Sequence, residues 1–271
     1  MTASSPLSAV LDAAERAGKL SLRAEDIASA LPGVSSEALR QALHRQQRRG
    51  RLVRLSRGSD HWLIVPLQYA ASGAPPVEVW LDRYMAKTLG LPYYVALLSA
   101  AEIYGASPYA VMVTQVMVPE RRRPITVGRH EVVFHTRARI ERMPIHWHDT
   151  PDGRFKVATP ELTALELVQR ETLLGGMERV QAVLQALWGA CKADGLAQAL
   201  EALQEVPTAQ RLGALLARDG QNALAARVAR WLRDKPMRIV SLESGQAHVS
   251  PHDFDAAFKV RLHLNRHTAN T

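Results

Sequence analysis

The sequence predicts an α+β protein, with a winged helix-turn-helix at its N-terminus followed by a mixed α/β domain that becomes helical toward its C-terminus. Three observations predict it. Residues 6–49 hold three short amphipathic segments broken at Gly18 and Pro32-Gly33, and residues 51–65 hold two short apolar runs across a turn. Residues 111–148 are rich in short β-branched runs. From residue 160 onward, apolar residues recur at helical spacing, with breaks at Gly175-Gly176, Pro207 and Asp219-Gly220.

The first helix spans residues 6–17, with Leu7, Val10, Leu11 and Ala14 on one face and Gly18 as its stop. Leu20 to Leu22 form a short extended link, and residues 23–31 a second helix that turns Ile27, Ala30 and Leu31 inward. Ser35 or Ser36 caps a third helix, which runs to about Arg49 and ends at Gly50. Residues 51–56 and 61–65 are the two strands of a wing around the turn 57–60. This gives a DNA-binding type of module over residues 1–66, a linker over 67–77 and a second domain over 78–271. In that second domain, residues 77–89 and 93–104 read as helices. Strands are expected over 111–118, 125–127, 132–135 and 145–148, and helices over 160–171, 176–193, 194–203, 207–218 and 220–233. Residues 236–263 are ambiguous, with 238–242 and 258–262 as candidate short strands.

Bulk properties narrow the function. A chain of 271 residues, 47% of them hydrophobic, can build two or three domains with buried cores. Its net charge of +8 favours phosphate-bearing partners, nucleic acid or an anionic membrane surface. No window reaches the roughly 18–20 apolar residues of a membrane span, and the N-terminus lacks the pattern of a secretory leader. A soluble cytoplasmic protein is therefore expected. The single cysteine, Cys191, excludes an intrachain disulfide and a cysteine-built zinc site, and its apolar helical setting suits a structural thiol.

The densest local signal lies between Arg40 and Arg57, where seven arginines occur without an Asp or Glu. On the third helix Leu39, Ala42, Leu43 and Gln46 form the inward stripe. Ser36, Arg40, Gln41, His44, Arg45 and Arg48 then face outward as hydrogen-bonding, mostly cationic side chains. Such a helix suits the DNA major groove, where Arg and Gln pair base edges. Ser36, Arg40, Gln41 and His44, nearer its N-terminus, are assigned to base readout. Arg45, Arg48, Arg49 and Arg51 are assigned to phosphates, with Arg54 on the wing. Arg57 and Ser59 lie at the wing tip, within reach of a minor groove. Arg121-Arg122-Arg123, at a turn between strands, form a second basic patch that suits a phosphate or a solvated charge run equally.

Other residue types give weaker signals. His130, His135, His146 and His148 are close in sequence, and His146 and His148 share one face of a strand. They lack the acidic partners and spacing of a metal site, so no metal is expected. Nucleotide-binding loops, dinucleotide fingerprints and a nucleophile elbow are all missing, so no cofactor is expected and the chain reads as a non-enzyme.

Three further stretches carry a family resemblance. They are the segment Tyr94-Val95-Ala96-Leu97-Leu98-Ser99-Ala100-Ala101-Glu102-Ile103-Tyr104-Gly105, the strand Val113-Thr114-Gln115-Val116, and Val157-Ala158 leading into Thr159-Pro160-Glu161-Leu162-Thr163. With the winged helix before them, this succession resembles the AbiEi family of antitoxins from type IV toxin–antitoxin systems, over roughly residues 6–240. Where relatives often carry Asp, this chain has Glu166.

The resemblance implies a transcriptional regulator whose second domain is an α/β antitoxin domain. Such a protein would repress its own operon by binding double-stranded operator DNA as two copies on repeated half-sites. It would oppose a nucleotidyltransferase-like toxin without necessarily binding it stably. Two alternatives stay open on the residues alone. One is a nucleic-acid-directed enzyme using His135, His146, His148 and Glu166; the other is an adaptor whose winged helix contacts protein.

Overall fold

The computed structural model describes residues 5–56, 58–107, 111–151, 153–243 and 254–262. The fold is α+β. The chain divides into two compact units: the described parts of Met1–Val95, Met112–Ile140 and Trp147–Lys156, and those of Ala96–Val111, Glu141–His146 and Val157–Thr271. Among the described residues no helix is long and apolar enough to cross a membrane.

The first unit opens with α1 (Pro6–Arg16), β1 (Ser21–Arg23), α2 (Ala24–Ser29), α3 (Ser36–Arg48), β2 (Leu52–Arg54) and β3 (His61–Ile64). The strands form an antiparallel sheet in the order β1-β3-β2, with the β2-β3 hairpin following the three helices. Each helix start has a local cause. Ser5 Oγ accepts the Ser8 N–H at 3.3 Å with Pro6 in the first turn, and Ser35 Oγ accepts the Ala38 N–H at 3.2 Å. The Asp26 carboxylate accepts the Arg23 N–H at 3.0 Å. That backbone bond holds its pKa below the usual carboxylate value against the opposing effect of burial, with Arg83 helping. Leu7, Leu11, Ile27, Leu43, Leu52 and Ile64 belong to one buried cluster beneath these elements.

The segment Leu20–Leu22, expected as a mere link, contributes β1, and Ser21 lies opposite Leu63. The reason is His61, whose imidazole is fully buried. Its Nε2 is 2.5 Å from Ser21 Oγ and its Nδ1 is 3.0 Å from Thr88 Oγ1. Thr88 ends a π-helical turn, Arg83–Thr88, that continues α4 (Val77–Asp82). From the same turn, Tyr84 meets the His61 ring edge-on at 5.4 Å and Arg83 pairs with Asp26 at 2.8 Å. Burial, followed by the charge of Arg83, lowers the His61 pKa to about 4.

Strands β4 (Tyr94–Val95), β5 (Thr114–Val118), β6 (Ile125–Val127), β7 (His130–Thr136), β8 (Ile145–Thr150) and β9 (Gly153–Ala158) form a six-stranded sheet in the order β6-β7-β5-β4-β9-β8. β5 and β7 are parallel, and β4 and β6 run antiparallel to their partners β5 and β7. The helix expected over residues 93–104 is corrected here. Tyr94 and Val95 pair with Met117 and Val116, and the helix α5 (Leu97–Ile103) starts only at Leu97, which takes a left-handed φ of 55°. β9 is a strand that the sequence reading omitted. Segment 72–74 packs on the turn between β6 and β7: Arg129 N–H donates to Ser72 O at 2.8 Å. A Cβ on Gly128, itself at φ 57°, would lie 2.2 Å from that oxygen.

The second unit is helical: α5, α6 (Pro160–Gln169), α7 (Met177–Leu187), α8 (Ala193–Leu203), α9 (Val206–Arg218) and α10 (Asn222–Leu232). A small sheet, β10 (Val240–Ser241), β11 (Phe254–Asp255) and β12 (Val260–Arg261), comes next in the order β10-β12-β11. Helix α6 packs against α5, α7, α8 and α9, and its residues 161–168 are all buried. Thr159 caps it through Oγ1 to the Leu162 N–H at 3.3 Å, with Pro160 in its first turn. Glu161 is 4% exposed, and its carboxylate accepts the Lys192 N–H at 2.7 Å at the start of α8. It supplies the anionic cap that the Lys192 side chain does not. Gly195 makes room for it, since a Cβ there would lie 2.6 Å from the carboxylate carbon.

Two measurements check this account. The folded pKa of His61 lies below the value near 6.5 of the unfolded chain, so the unfolded state binds a proton that the folded state refuses. Its contribution is complete above pH 6.5 and is lost as pH falls toward 4. Chemical denaturation at pH 7.5 and 5.0 should show a loss of about 1–3 kcal/mol in the first unit, with a markedly smaller difference in His61→Gln. In the second unit, Gly195→Ala and Glu161→Ala should each cost about 1–3 kcal/mol, read as the urea midpoint. A Gly195→Ala protein as stable as the parent would contradict the tight fit at Glu161.

Candidate nucleic-acid interface

Helix α3 buries Leu39, Leu43 and Gln46, and Gln46 donates through Nε2 to Ser8 Oγ at 3.0 Å. That anchoring fixes the helix's rotation. Ser36, Arg40, Gln41, His44, Arg45, Arg48 and the C-cap residue Arg49 are all exposed. The structure therefore brings these seven residues onto the solvent side of one short rod, where their charges act together. One acidic residue interrupts the pattern. Glu37, a turn ahead of the arginine-rich window, pairs with Arg40 and accepts Gln41 Nε2 at 3.1 Å. The sequence reading missed it because the window began at Arg40, although i,i+3 and i,i+4 spacing is the signal that finds such pairs.

The remaining basic residues are engaged differently. Arg51 is half-buried and pairs with Asp12, and with Glu15 at 3.5 Å, both on α1. Arg54 lies over the Trp62 ring at 5.2 Å and donates Nε to Ser59 O at 2.5 Å. Ser59 turns its hydroxyl inward to accept the His61 N–H at 3.0 Å. Arg57 lies outside the described residues. At the other basic patch, Arg121 and Arg123 are exposed, while Arg122 is half-buried and pairs with Glu120 at 2.8 Å. These arginines line a cleft of about 560 Å³ together with Ser56, Tyr84 and Phe134. Tyr84 holds its phenol proton above the usual range, chiefly because it is desolvated.

The histidines have unrelated surroundings. His130 and His135 lie on β7; the His148 ring packs on Phe155 at 5.4 Å, and the His146 ring lies 6.1 Å from that of Tyr104. Among the described residues no group of three or more His, Cys, Asp or Glu is arranged to hold a metal ion. Burial, then the Glu161 charge, pushes the Cys191 thiol up to about 12, which keeps it protonated and poorly nucleophilic. Glu166 is fully buried within α6.

Comparison with known proteins bears on the second half of the chain. Residues 94–218 match the AbiEi antitoxin C-terminal domain. Among solved structures, the RV2827C protein from Mycobacterium tuberculosis is similar with a TM-score of 0.66 and 17% identity. The match covers 95% of this chain and 91% of that one, a likeness of fold along nearly the whole length. No curated protein matches the chain.

The partners of Arg51 separate it from the arginines of α3. Arg51→Ala should lower thermal stability by about 0.5–1 kcal/mol, discounted for its partial exposure, whereas Arg48→Ala should leave it within about 0.5 kcal/mol. Thermal unfolding of the two variants checks this; equal stabilities would remove the structural role given to the Arg51 pairs.

Proposed function

Residues 94–218 match the AbiEi antitoxin C-terminal domain, and from that premise we propose that the chain is the DNA-binding antitoxin of a type IV toxin–antitoxin system, repressing its own operon. The observation that carries the DNA-binding part is the solvent face of α3. There Arg40, Arg45, Arg48 and Arg49 stand with Ser36, Gln41 and His44 on a helix held rigid by its buried side. Side chains of this kind on such a module suit the major groove and its flanking phosphates.

In this reading Arg40 and Gln41 read base edges after leaving Glu37, while Arg45, Arg48 and Arg49 hold phosphates. Arg54, stacked on Trp62, and Ser59 shape the wing. Two copies would occupy repeated half-sites, since a single short helix reads too few base pairs to specify an operator. The protein would act by binding, without catalysis, in the cytoplasm. It would counter a nucleotidyltransferase-like toxin with which it need not form a stable complex.

Gel-shift titration over a range of salt, on the chain's own promoter and on scrambled DNA, tests the proposal. Arg45→Ala/Arg48→Ala should weaken binding to both and flatten the salt slope by about 2. Arg40→Ala or Gln41→Ala should narrow the preference for the promoter, by about five- to a hundredfold for a lost base contact. Glu37→Gln, which removes a negative charge from the reading face, should tighten binding to both DNAs. Unchanged binding by Arg45→Ala/Arg48→Ala would overturn the assignment of α3.

A further inference from the structure

The cleft beside the wing has a composition that the recognition helix lacks. It brings Arg121, Arg122 and Arg123 together with a serine hydroxyl, Ser56, and two aromatic rings, Tyr84 and Phe134. Three guanidiniums face one carboxylate, Glu120, which engages only the Nη2 end of Arg122. The Arg122 Nε is buried and meets no hydrogen-bond partner among the described residues. The exposed guanidiniums of Arg121 and Arg123 supply the donors that an acceptor oxygen entering the cleft would meet.

The shape narrows the class of acceptor. A duplex presents its phosphates on a broad convex surface, which flat or protruding basic side chains meet best. This site is recessed, and its volume of about 560 Å³ falls within the range of small-molecule pockets, roughly 300–1,000 Å³. Guanidinium forks match phosphate oxygens, and aromatic walls match a flat heterocycle. We propose that the cleft lined by Ser56, Tyr84, Arg121, Arg122, Arg123 and Phe134 is a binding site for a free nucleotide, its phosphates on the arginines and its base against the aromatic rings.

The site is joined to the wing. Ser56 starts the turn between β2 and β3, its carbonyl accepting the Ser59 N–H at 3.1 Å, and its side chain is hydrogen-bonded with Tyr84. A nucleotide bound there adds negative charge next to the wing. On the DNA-binding reading above, on which only this coupling rests, it therefore opposes the approach of DNA phosphates, and DNA in turn weakens nucleotide binding by the same factor.

Isothermal titration calorimetry of the full chain with ATP, and with inorganic tripolyphosphate as a ring-free anion, tests the site. One saturable ATP site is expected, tighter than that for tripolyphosphate. Arg122→Ala and Arg121→Ala/Arg123→Ala should each weaken it by about ten- to a hundredfold. The second of these changes only exposed side chains, so it stays informative if Arg122→Ala fails to fold. Arg45→Ala/Arg48→Ala should leave ATP binding unchanged. Three results overturn the proposal: no saturable ATP binding, equal affinity for tripolyphosphate, or an equal loss in Arg45→Ala/Arg48→Ala. A loss of promoter binding in Arg121→Ala/Arg123→Ala without any ATP binding would instead make the patch a DNA contact. Promoter affinity that saturating ATP leaves unaltered would overturn the coupling.

Discussion

A neutral imidazole, buried and hydrogen-bonded at both nitrogens, sets the geometry of the first unit. His61 ties β1 to β3 through Ser21 and ties the wing to the π-helical turn through Thr88. The same turn supplies Tyr84, against the imidazole edge, and Arg83, paired with Asp26 on α2. A charged His61 would have to bury a cation near Arg83 and Arg23, so the arrangement stands only while the ring stays neutral. The wing is thus fastened to the π-helical turn by polar bonds of fixed direction, which apolar packing alone would not provide.

The basic residues of the module divide by their surroundings. Those on α3 face solvent because the opposite side of the helix is anchored by Leu39, Leu43 and Gln46. Arg51, just beyond the helix, bends back to the carboxylates of α1 and serves the fold. Arg54 lies flat on Trp62. Sequence gives all of them the same letter, and only partner and burial decide which charges remain available to a ligand.

Much of the N-terminal module was legible because its cues are local. Ser35 caps α3, Gly50 at φ 71° lies just past its end, and apolar spacing marks each buried face. The antitoxin-type helix start at Thr159-Pro160-Glu161 was legible for the same reason. The hidden features depend on distant partners. Asp12 and Glu15 lie more than thirty residues from Arg51, so no window joins them. Tyr94 and Val95 sit in an apolar run that fits strand or helix equally well, and only pairing with Val116 and Met117 makes them a strand. The cleft at Arg122 needs the turn after β5, the π-helical turn and the wing to converge, which no spacing rule encodes.

The bond between Glu161 and Lys192 has a topological meaning of its own. It closes residues 162–191 into a loop whose two ends are held 2.7 Å apart by a carboxylate and an amide. Within that loop, the junction Gly175-Gly176 carries two positive φ angles and an exposed first residue, and lies remote in sequence from either end. Additional chain entering there would lengthen the loop while the clasp kept its register, and closure entropy grows only slowly with length. That junction is therefore the natural port for inserting a peptide tag or a reporter domain into the helical unit, whereas an insertion beside Glu161 or Gly195 would open the clasp.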